Sequence, residues 1–179
     1  MPVVARVWYL LCVPALPPPP VRVRSARPEE LDAVGRLTVA SYAAHVPPDS
    51  PYARQLADAA SRARHARLLV VVEPGGGLLG TATLVVGGGP WAELAGPGDA
   101  ELRMLGVDPA ARRRGVGEAL LRATLAEARA AGCQRLLLST LPTMTAAHRL
   151  YERAGFRRTP GLDHTPVPGV HLMAYALDL

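Results

Sequence analysis

Three residue types are missing from this chain of 179 residues: lysine, isoleucine and asparagine, so that all 20 basic residues are arginines. AT-rich codons encode these three types, and their joint absence indicates a high-GC genome, which we expect to be bacterial. This mutational bias carries no information on function. The lack of lysine nevertheless excludes one phosphate-binding motif, the P-loop, because its GK[ST] signature requires that residue.

Cysteines, aromatic residues and long apolar segments are scarce as well. Cys12 and Cys133 show neither a metal-ligand spacing nor a disulfide pattern, so we expect no metal and a reducing, cytoplasmic compartment. Aromatic residues make up only 4% and the arginines are mostly scattered, so we expect no nucleic-acid partner despite the net charge of +5. The apolar segment from Val7 to Leu16 is too short to span a bilayer, and we expect no membrane partner.

Residues 1–20 differ from the rest of the chain and end in consecutive prolines, Pro17 to Pro20. A signal peptide is disfavoured because little positive charge precedes the apolar stretch and prolines occupy the place of cleavage. Three interpretations stay open: a disordered leader, an over-extended gene start, and a segment that packs on the domain or a partner. We favour the first two, which leaves residues 21–179 as a single domain.

The pattern of apolar and turn residues from Val21 onward predicts elements in the order β-α-α-β-β-β-α-β-α-β-β. The second helix is predicted to run unbroken from Tyr52 to Arg67, the fourth strand from Glu101 to Val107, and the last strand from Val170 to Leu177. This order indicates a mixed α/β fold, with an antiparallel meander in the first half and a β-α-β crossover in the second.

The stretch after the fourth strand combines arginines, glycines and the start of a helix, in the order Arg112-Arg113-Arg114-Gly115-Val116-Gly117. Glycine lets the backbone approach phosphate oxygens, a helix N-terminus offers free N–H groups, and arginine adds permanent planar donors. A dinucleotide-binding G-x-G-x-x-G/A motif is excluded because Leu120 occupies its last position. The stretch predicts a site for a multiply phosphorylated ligand, with a solvated surface turn as the alternative.

A second motif lies one strand further along, where residues 147–156 read A-H-R-L-Y-E-R-A-G-F. The pattern Arg-x-x-Gly-x-Gly followed by Ala-x-x-Leu-Tyr-x-x-x-Gly-Phe resembles the two signatures of the GNAT superfamily of N-acetyltransferases, and the element order from Val21 to the C-terminus is similar too. The resemblance implies a sheet splayed between strands 4 and 5, acetyl-CoA as cofactor, and direct acetyl transfer to a primary amine in a ternary complex. Many members carry asparagine seven residues before the tyrosine, where this chain has Met144.

The resemblance also assigns residues to the acetyl-CoA site. In the family, the fourth strand pairs with the pantetheine arm and the glycine-rich turn holds the diphosphate. The implied cofactor-binding residues are Leu105, Gly106, Val107, Arg112, Arg113, Arg114, Gly115, Val116, Gly117, Thr140 and Tyr151. A backbone N–H near Leu105 is the implied donor to the oxyanion. A glycine inside a strand, Gly106, indicates a bulge or a close backbone approach, the alternative being a small residue under a crowded core contact.

Two residues are implied to be catalytic. Tyr151 is expected to act as general acid toward the CoA sulfur, the alternative being a packed tyrosine whose hydroxyl bonds the backbone. Glu101 is expected to act as general base, the alternative being a surface glutamate paired with an arginine. Strand alternation predicts that Glu101, Arg103, Leu105 and Val107 share one face, where Arg103 is positioned to neutralise Glu101.

The acceptor site is the least defined part. The family shapes it from the first two helices and their connecting loop, which makes Tyr42, His45, Asp49 and Tyr52 candidates by location only. His148, one helical turn before Tyr151, is expected to be a solvated histidine, the alternative being a histidine that borders the site. The acceptor is expected to be a small-molecule or peptide amine, and the family also allows a homodimer. The alternative function is a non-catalytic acyl-CoA-binding sensor on the same fold.

Overall fold

The structure is a computed structural model that describes residues 21–167 and 169–179. The prediction of a Pro-rich leader at residues 1–20 lies outside the described residues. None of the helices in the described part of the chain combines the length and the apolar character needed to cross a membrane.

The described residues form eight strands and five α-helices, joined in places by short 3₁₀ turns. The strands are β1 (Arg22–Ser25), β2 (Arg67–Val72), β3 (Leu78–Val86), β4 (Asp99–Val107), β5 (Arg135–Thr140), β6 (Arg157–Arg158), β7 (His164–Val167) and β8 (Val170–Asp178). The helices are α1 (Leu31–Tyr42), α2 (Pro51–Ala57), α3 (Ala59–His65), α4 (Val116–Ala130) and α5 (Thr145–Arg153).

One mixed sheet organises the chain, in the order β1-β2-β3-β4-β5-β8-β6, with β7 paired to β8. Every neighbouring pair is antiparallel except β4 and β5, which are parallel. The β4–β5 pairing ends at Leu102 opposite Leu138, although β4 continues to Val107 and β5 to Thr140. The predicted mixed fold and the predicted splay between the fourth and fifth strands are therefore confirmed.

Helices pack on both faces of the sheet and bury two apolar clusters. The larger cluster lies under α4 and α5, and Leu120, Leu136 and Leu138 are among its fully buried members. The smaller cluster joins α1 and α3 to β2 through Val34, Ala59 and Val70. Burial on both faces explains why the fifth strand reads as an unbroken apolar run.

Two predicted elements differ from those observed. The single helix predicted from Tyr52 to Arg67 is wrong, because Asp58 (φ −79°, ψ 65°) breaks it and its carboxylate caps α3 by accepting the Ser61 N–H at 2.9 Å. Strand β7 was not predicted at all. It contains Pro166, which cannot donate to a sheet, and it pairs with β8 only at His164–Leu172 and Val167–Val170.

The start of α1 is tied to β1 by an ion pair that makes stability depend on pH. Arg24 donates to both carboxylate oxygens of Glu30, at 2.7 and 2.5 Å. These hydrogen bonds hold the pKa of Glu30 at about 2, below its ordinary 4.5. Because the folded-state pKa is depressed, the stabilisation is present above pH 4.5 and is lost as the pH falls toward 2.

We therefore expect denaturant midpoints of the wild type to fall between pH 4.5 and pH 2 more steeply than those of Glu30→Gln. The exposed neighbour Glu29 provides the control, because Glu29→Gln should follow the wild-type curve. Parallel curves for wild type and Glu30→Gln across this window would show that the ion pair does not contribute.

Candidate functional site

The N-terminus of α4 is open and uncapped. Gly115 occupies the N-cap position in the left-handed region (φ +78°), and no side chain caps the helix. The first α-helical hydrogen bond runs from the Ala119 N–H to the Gly115 carbonyl at 2.9 Å, so the N–H groups of residues 116–118 have no α-helical acceptor. Apart from its two chain neighbours, no described residue has an atom within 4 Å of where a Gly115 side chain would begin. The backbone thus presents free donors to open space.

Three arginines surround this helix start and make only weak contacts with the protein. Arg112, Arg113 and Arg114 are all exposed, and Arg113 has a positive φ of +61°. The Arg112 guanidinium reaches the Ser41 carbonyl at 3.5 Å, and Arg114 lies 3.5 Å from a Glu73 carboxylate oxygen. Exposed pairs at such distances contribute little. Three positive charges therefore stand beside the helix N-terminus, whose partial positive charge also favours an anion.

Strand β4 carries a bulge where it leaves β5. Arg103 lies opposite Thr83 of β3, and Gly106 lies opposite Thr81. Two residues of β4, Met104 and Leu105, therefore face the single residue between Thr81 and Thr83 on β3. Met104 takes a φ of +52°. The predicted common face holds for Glu101 and Arg103, whose side chains form an ion pair at 3.7 Å, but it is wrong for Leu105 and Val107, because the extra residue reverses the alternation.

Beyond the bulge, Gly106 faces α1 and its two neighbours face α4. A Cβ on Gly106 would lie 2.2 Å from the Ser41 hydroxyl of α1. The side chains of Leu105 and Val107 instead point toward Gly117 of α4. A Cβ placed on Gly117 would lie 4.0 Å from the Leu105 side chain and 3.7 Å from the Val107 side chain. The bulge that Gly106 indicated is present, but the close contact at Gly106 is with the Ser41 side chain, as expected for a small residue under a crowded core contact. This contact brings the last turn of α1 against the splayed part of β4.

Thr140 lies on the other side of the splay, past the last residue of β5 that pairs with β4. Its side chain is 4% exposed, and its hydroxyl has no hydrogen-bond partner among residues 21–167 and 169–179. A buried polar group without a partner is costly unless a ligand or water satisfies it. This orphaned hydroxyl fits a polar ligand lying between β4 and β5.

Tyr151 is buried in the larger cluster, with ring centroids 5.9 Å from Phe156 and 6.3 Å from Tyr175. Burial raises its pKa well above the ordinary value for a phenol, so the hydroxyl stays protonated. The packed-tyrosine alternative predicted a backbone partner for this hydroxyl, and none is found within the described residues. Tyr151 thus offers a proton or hydrogen bond that the protein itself does not use.

Glu101 is completely buried, which excludes the alternative of a surface glutamate. Its Oε2 accepts the backbone N–H groups of residues 93, 94 and 95, at 2.8, 2.8 and 3.1 Å. Its Oε1 lies 3.7 Å from Nε of Arg103 and has no hydrogen-bond partner in the described part of the chain. One oxygen therefore anchors a loop, and the other lies in an ion pair with Arg103 while accepting no hydrogen bond.

The loop anchored by Glu101, residues 87–98, is tied down at several further points. The Arg103 guanidinium donates to the Trp91 carbonyl at 2.7 Å and pairs with the Glu93 carboxylate. The Trp91 indole donates to the Ser61 hydroxyl of α3 at 3.3 Å, and Glu93 lies 3.3 Å from the His164 imidazole of β7. The loop thus covers Glu101 and links three parts of the fold around it.

The residues proposed for the acceptor site separate into two groups. Tyr42 and Tyr52 pack edge to face with centroids 6.4 Å apart, and the Tyr42 hydroxyl lies 3.4 Å from the Leu105 carbonyl. His45 instead contacts the Thr143 hydroxyl at 3.2 Å, in the segment between β5 and α5. Asp49 is exposed. Of the four candidates, the structure brings the two tyrosines to the splayed end of β4.

His148 and Met144 shape the entry to α5. His148 is not a solvated histidine: it is partly buried, its Nε2 lies 2.9 Å from the Leu141 carbonyl, and its ring packs 5.8 Å from Tyr175. Met144 is the N-cap of α5 and supplies no side-chain cap. The N-terminus of α5, like that of α4, is therefore uncapped.

One buried group near this site was missed by the sequence analysis. Arg62 on α3 is fully buried and donates to the hydroxyls of Thr83 and Thr38, both at 3.1 Å, and to the Leu56 carbonyl at 2.8 Å. Burial lowers its pKa to about 10, so it stays charged at neutral pH. A signal was present, because Arg62 continues the three-residue spacing of the buried positions Ala53, Leu56 and Ala59.

These features define a class of protein in which an uncapped helix N-terminus, flanked by exposed arginines, lies beside an opened pair of parallel strands. A family model described as Acetyltransferase (GNAT) family matches residues 31–156. The match covers more than half of the chain, and the chain therefore belongs to the GNAT acetyltransferase family.

Similar proteins agree with this assignment. The chain is 34% identical over 151 residues to mycothiol acetyltransferase from Cellulomonas flavigena. The matched region covers 79% of this chain but less than half, 42%, of that protein. A GCN5-related N-acetyltransferase from Kribbella flavida is 25% identical with a TM-score of 0.66, covering 89% of this chain and 98% of that one. The acetyl-CoA complex of YncA from Salmonella typhimurium has a TM-score of 0.65 at 22% identity, covering 89% and 94%.

Proposed function

We propose that this chain transfers an acetyl group from acetyl-CoA to a primary amine by direct attack in a ternary complex. The observation that carries the proposal is the uncapped α4 N-terminus, with its three exposed arginines, next to the splayed ends of β4 and β5. The YncA structure named above, which contains acetyl-CoA, supports the choice of acyl donor. The acceptor is a small-molecule or peptide amine whose structure stays open.

The donor would be held by backbone groups and a few side chains. The free N–H groups at the start of α4, with Arg112, Arg113 and Arg114, would bind the diphosphate. The pantetheine arm would lie in the splay, against the backbone of Leu105, Gly106 and Val107 and the orphaned Thr140 hydroxyl. Holding the thioester beside the amine removes much of the entropic cost of a two-substrate reaction.

Glu101 would take the proton from the amine. Its Oε1 is the oxygen of that carboxylate that accepts no hydrogen bond within the described residues, since Oε2 is engaged by three backbone N–H groups. Those bonds fix the orientation of Oε1. A single water would complete the proton path where the amine does not reach Glu101 directly.

Tyr151 would donate to the CoA sulfur as the C–S bond breaks, and a backbone N–H near Leu105 would donate to the carbonyl oxygen. As the amine nitrogen bonds the carbonyl carbon, the C=O electron pair moves to oxygen. Its return expels the thiolate, which Tyr151 stabilises. Because burial raises the pKa of Tyr151, we expect it to act as a donor over the whole working pH range.

The test combines CoA binding, measured calorimetrically, with thiol release from acetyl-CoA over a broad amine panel. We expect Arg112→Ala to weaken CoA binding about 10- to 100-fold, the size of a charge-assisted hydrogen bond. Gly115→Glu should abolish binding because it adds strain and a negative charge. Arg122, an exposed arginine on α4 paired with Glu118, provides the control: Arg122→Ala should bind CoA like the wild type.

Turnover separates the enzyme from the alternative, a sensor that binds acyl-CoA without reacting. The uncapped Met144 position of α5 is the observation that keeps this alternative open. For the enzyme, we expect Tyr151→Phe and Glu101→Gln to lower kcat by about 10²- to 10⁴-fold. CoA binding without thiol release for any amine would favour the sensor, and no CoA binding would contradict both. The homodimer and the cytoplasmic location stay predictions.

A further inference from the structure

Tyr42, the last residue of α1, lies where the proposed reaction would take place. Its hydroxyl is 3.4 Å from the carbonyl of Leu105, the residue that follows the bulge residue Met104 in the splayed part of β4. The same strand segment supplies the backbone groups that we assigned to the pantetheine arm. A side chain that is 63 positions away in sequence therefore reaches the acyl end of the proposed donor site.

The Tyr42 hydroxyl is a donor whose present partner is poor. Hydroxyl-to-oxygen hydrogen bonds are commonly about 2.7–2.8 Å long, so the 3.4 Å contact with Leu105 is weak. Burial raises the pKa of Tyr42 well above the ordinary value, and the positive charges of Arg103 and Arg62 offset this only in part. The hydroxyl therefore stays protonated and can donate to a better acceptor but cannot act as a base.

The ring of Tyr42 is held in place from several sides. It packs edge to face against Tyr52, and Thr38, one turn earlier on α1, binds the buried Arg62 guanidinium at 3.1 Å. Ser41, its immediate neighbour, presses against Gly106. A donor fixed in this way needs little reorganisation during a reaction, which is the condition for effective electrostatic stabilisation.

Two guanidinium groups contribute positive charge near this hydroxyl. Arg103 is countered by Glu93 and Glu101. Arg62 donates only to uncharged oxygens, those of Thr83, Thr38 and Leu56. The Asp58 carboxylate stabilises the Arg62 charge only at longer range, without a hydrogen bond. A buried positive charge of this kind is costly for folding, but it favours a reaction in which negative charge develops nearby.

We propose that the Tyr42 hydroxyl is a further catalytic group, which donates a hydrogen bond to the acyl carbonyl oxygen of the thioester. The inference rests on the proposed acetyl transfer. When the amine nitrogen bonds to the carbonyl carbon, the C=O electron pair moves to this oxygen, and Tyr42 stabilises the charge together with the backbone N–H near Leu105. When the pair returns and the C–S bond breaks, the hydrogen bond weakens again, and Tyr42 keeps its proton throughout.

The experiment compares wild type, Tyr42→Phe and Tyr52→Phe, each bound to acetyl-CoA labelled with ¹³C at the acetyl carbonyl, by isotope-edited infrared spectroscopy. A hydrogen bond to the carbonyl oxygen lowers the C=O stretching frequency. We expect the frequency to be higher in Tyr42→Phe than in wild type, and unchanged in Tyr52→Phe, which removes the neighbouring hydroxyl. No amine is present, so the readout does not depend on the identity of the acceptor.

Kinetics supply the second readout. Losing one oxyanion donor costs about 10²- to 10³-fold in kcat, so we expect this loss in Tyr42→Phe, with CoA affinity and the pH dependence of kcat unchanged. Equal carbonyl frequencies in wild type and Tyr42→Phe, or an effect confined to the KM of the amine, would overturn the role of Tyr42 and leave the proposed function intact. Failure of the wild type to bind acetyl-CoA would overturn both.

Discussion

Replacing Gly106 with alanine is expected to destabilise the protein and to weaken acetyl-CoA binding. A Cβ at this position would lie 2.2 Å from the Ser41 hydroxyl and 3.1 Å from the Ser41 Cβ, so either α1 or β4 must move. Overpacking of this kind costs about 1–3 kcal/mol in unfolding free energy. Because the splayed part of β4 and the last turn of α1 form the proposed donor site, the displacement should also distort the site itself.

A double-mutant cycle isolates this contact. Rotation of the Ser41 side chain would relieve the contact with its oxygen but not the one with its Cβ, so the rescuing substitution is Ser41→Gly. We expect Ser41→Gly alone to cost about 1 kcal/mol as a helix glycine, and Gly106→Ala/Ser41→Gly to be more stable than the two single effects added together. Additive effects, measured by denaturant unfolding, would show that α1 does not press on Gly106.

The largest loss of stability is expected at Arg62. Its guanidinium joins α1, α3, β3 and the end of α2 through hydrogen bonds to Thr38, Thr83 and Leu56. Arg62→Ala would remove the donor from these three buried oxygen atoms and would leave a cavity between them. Unsatisfied buried polar groups cost about 1–3 kcal/mol each, and large-to-small core substitutions cost about 2–5 kcal/mol. We expect Arg62→Ala to lower the unfolding free energy by about 3–5 kcal/mol.

Arg64, on the same helix, provides a matched control because it is exposed. Arg64→Ala should change the unfolding free energy by less than about 0.5 kcal/mol. Arg62→Lys tests the geometry of the guanidinium, since a lysine keeps the charge but lacks the planar fork that reaches several acceptors at once. We expect it to be destabilised as well. An Arg62→Ala protein within about 1 kcal/mol of wild type would contradict the buried network.

The parts of the fold that sequence predicted are those set by local chemistry. The pattern of apolar and turn residues predicted the last strand from Val170 to Leu177, and the observed strand, Val170–Asp178, differs from it by one residue. The Arg-rich turn predicted where α4 begins, because a glycine in the left-handed conformation and a helix N-terminus follow from adjacent residues. Local preferences of this kind need no knowledge of the rest of the chain.

The parts that sequence did not predict depend on partners far away in the chain. The residues Met104-Leu105-Gly106 carry no local signal for the bulge, in which two residues of β4 lie opposite one residue of β3. This bulge determines which side chains of β4 face α1. The hydrogen-bond partners of Glu101 are three backbone N–H groups of a loop. Because every residue type except proline has a backbone N–H, these partners leave no recognisable pattern in the sequence. The contact of Tyr42 with Leu105 arises only after α1 has packed on the sheet.

A crystal structure of the protein bound to coenzyme A would test the central claim most directly. The measured quantities are the distances from the diphosphate oxygens to the backbone nitrogens of Val116 and Gly117. We expect values of about 2.7–3.2 Å, with at least one guanidinium of Arg112, Arg113 or Arg114 on the same phosphates. A diphosphate bound elsewhere, with the N–H groups at the start of α4 still facing solvent, would contradict the account.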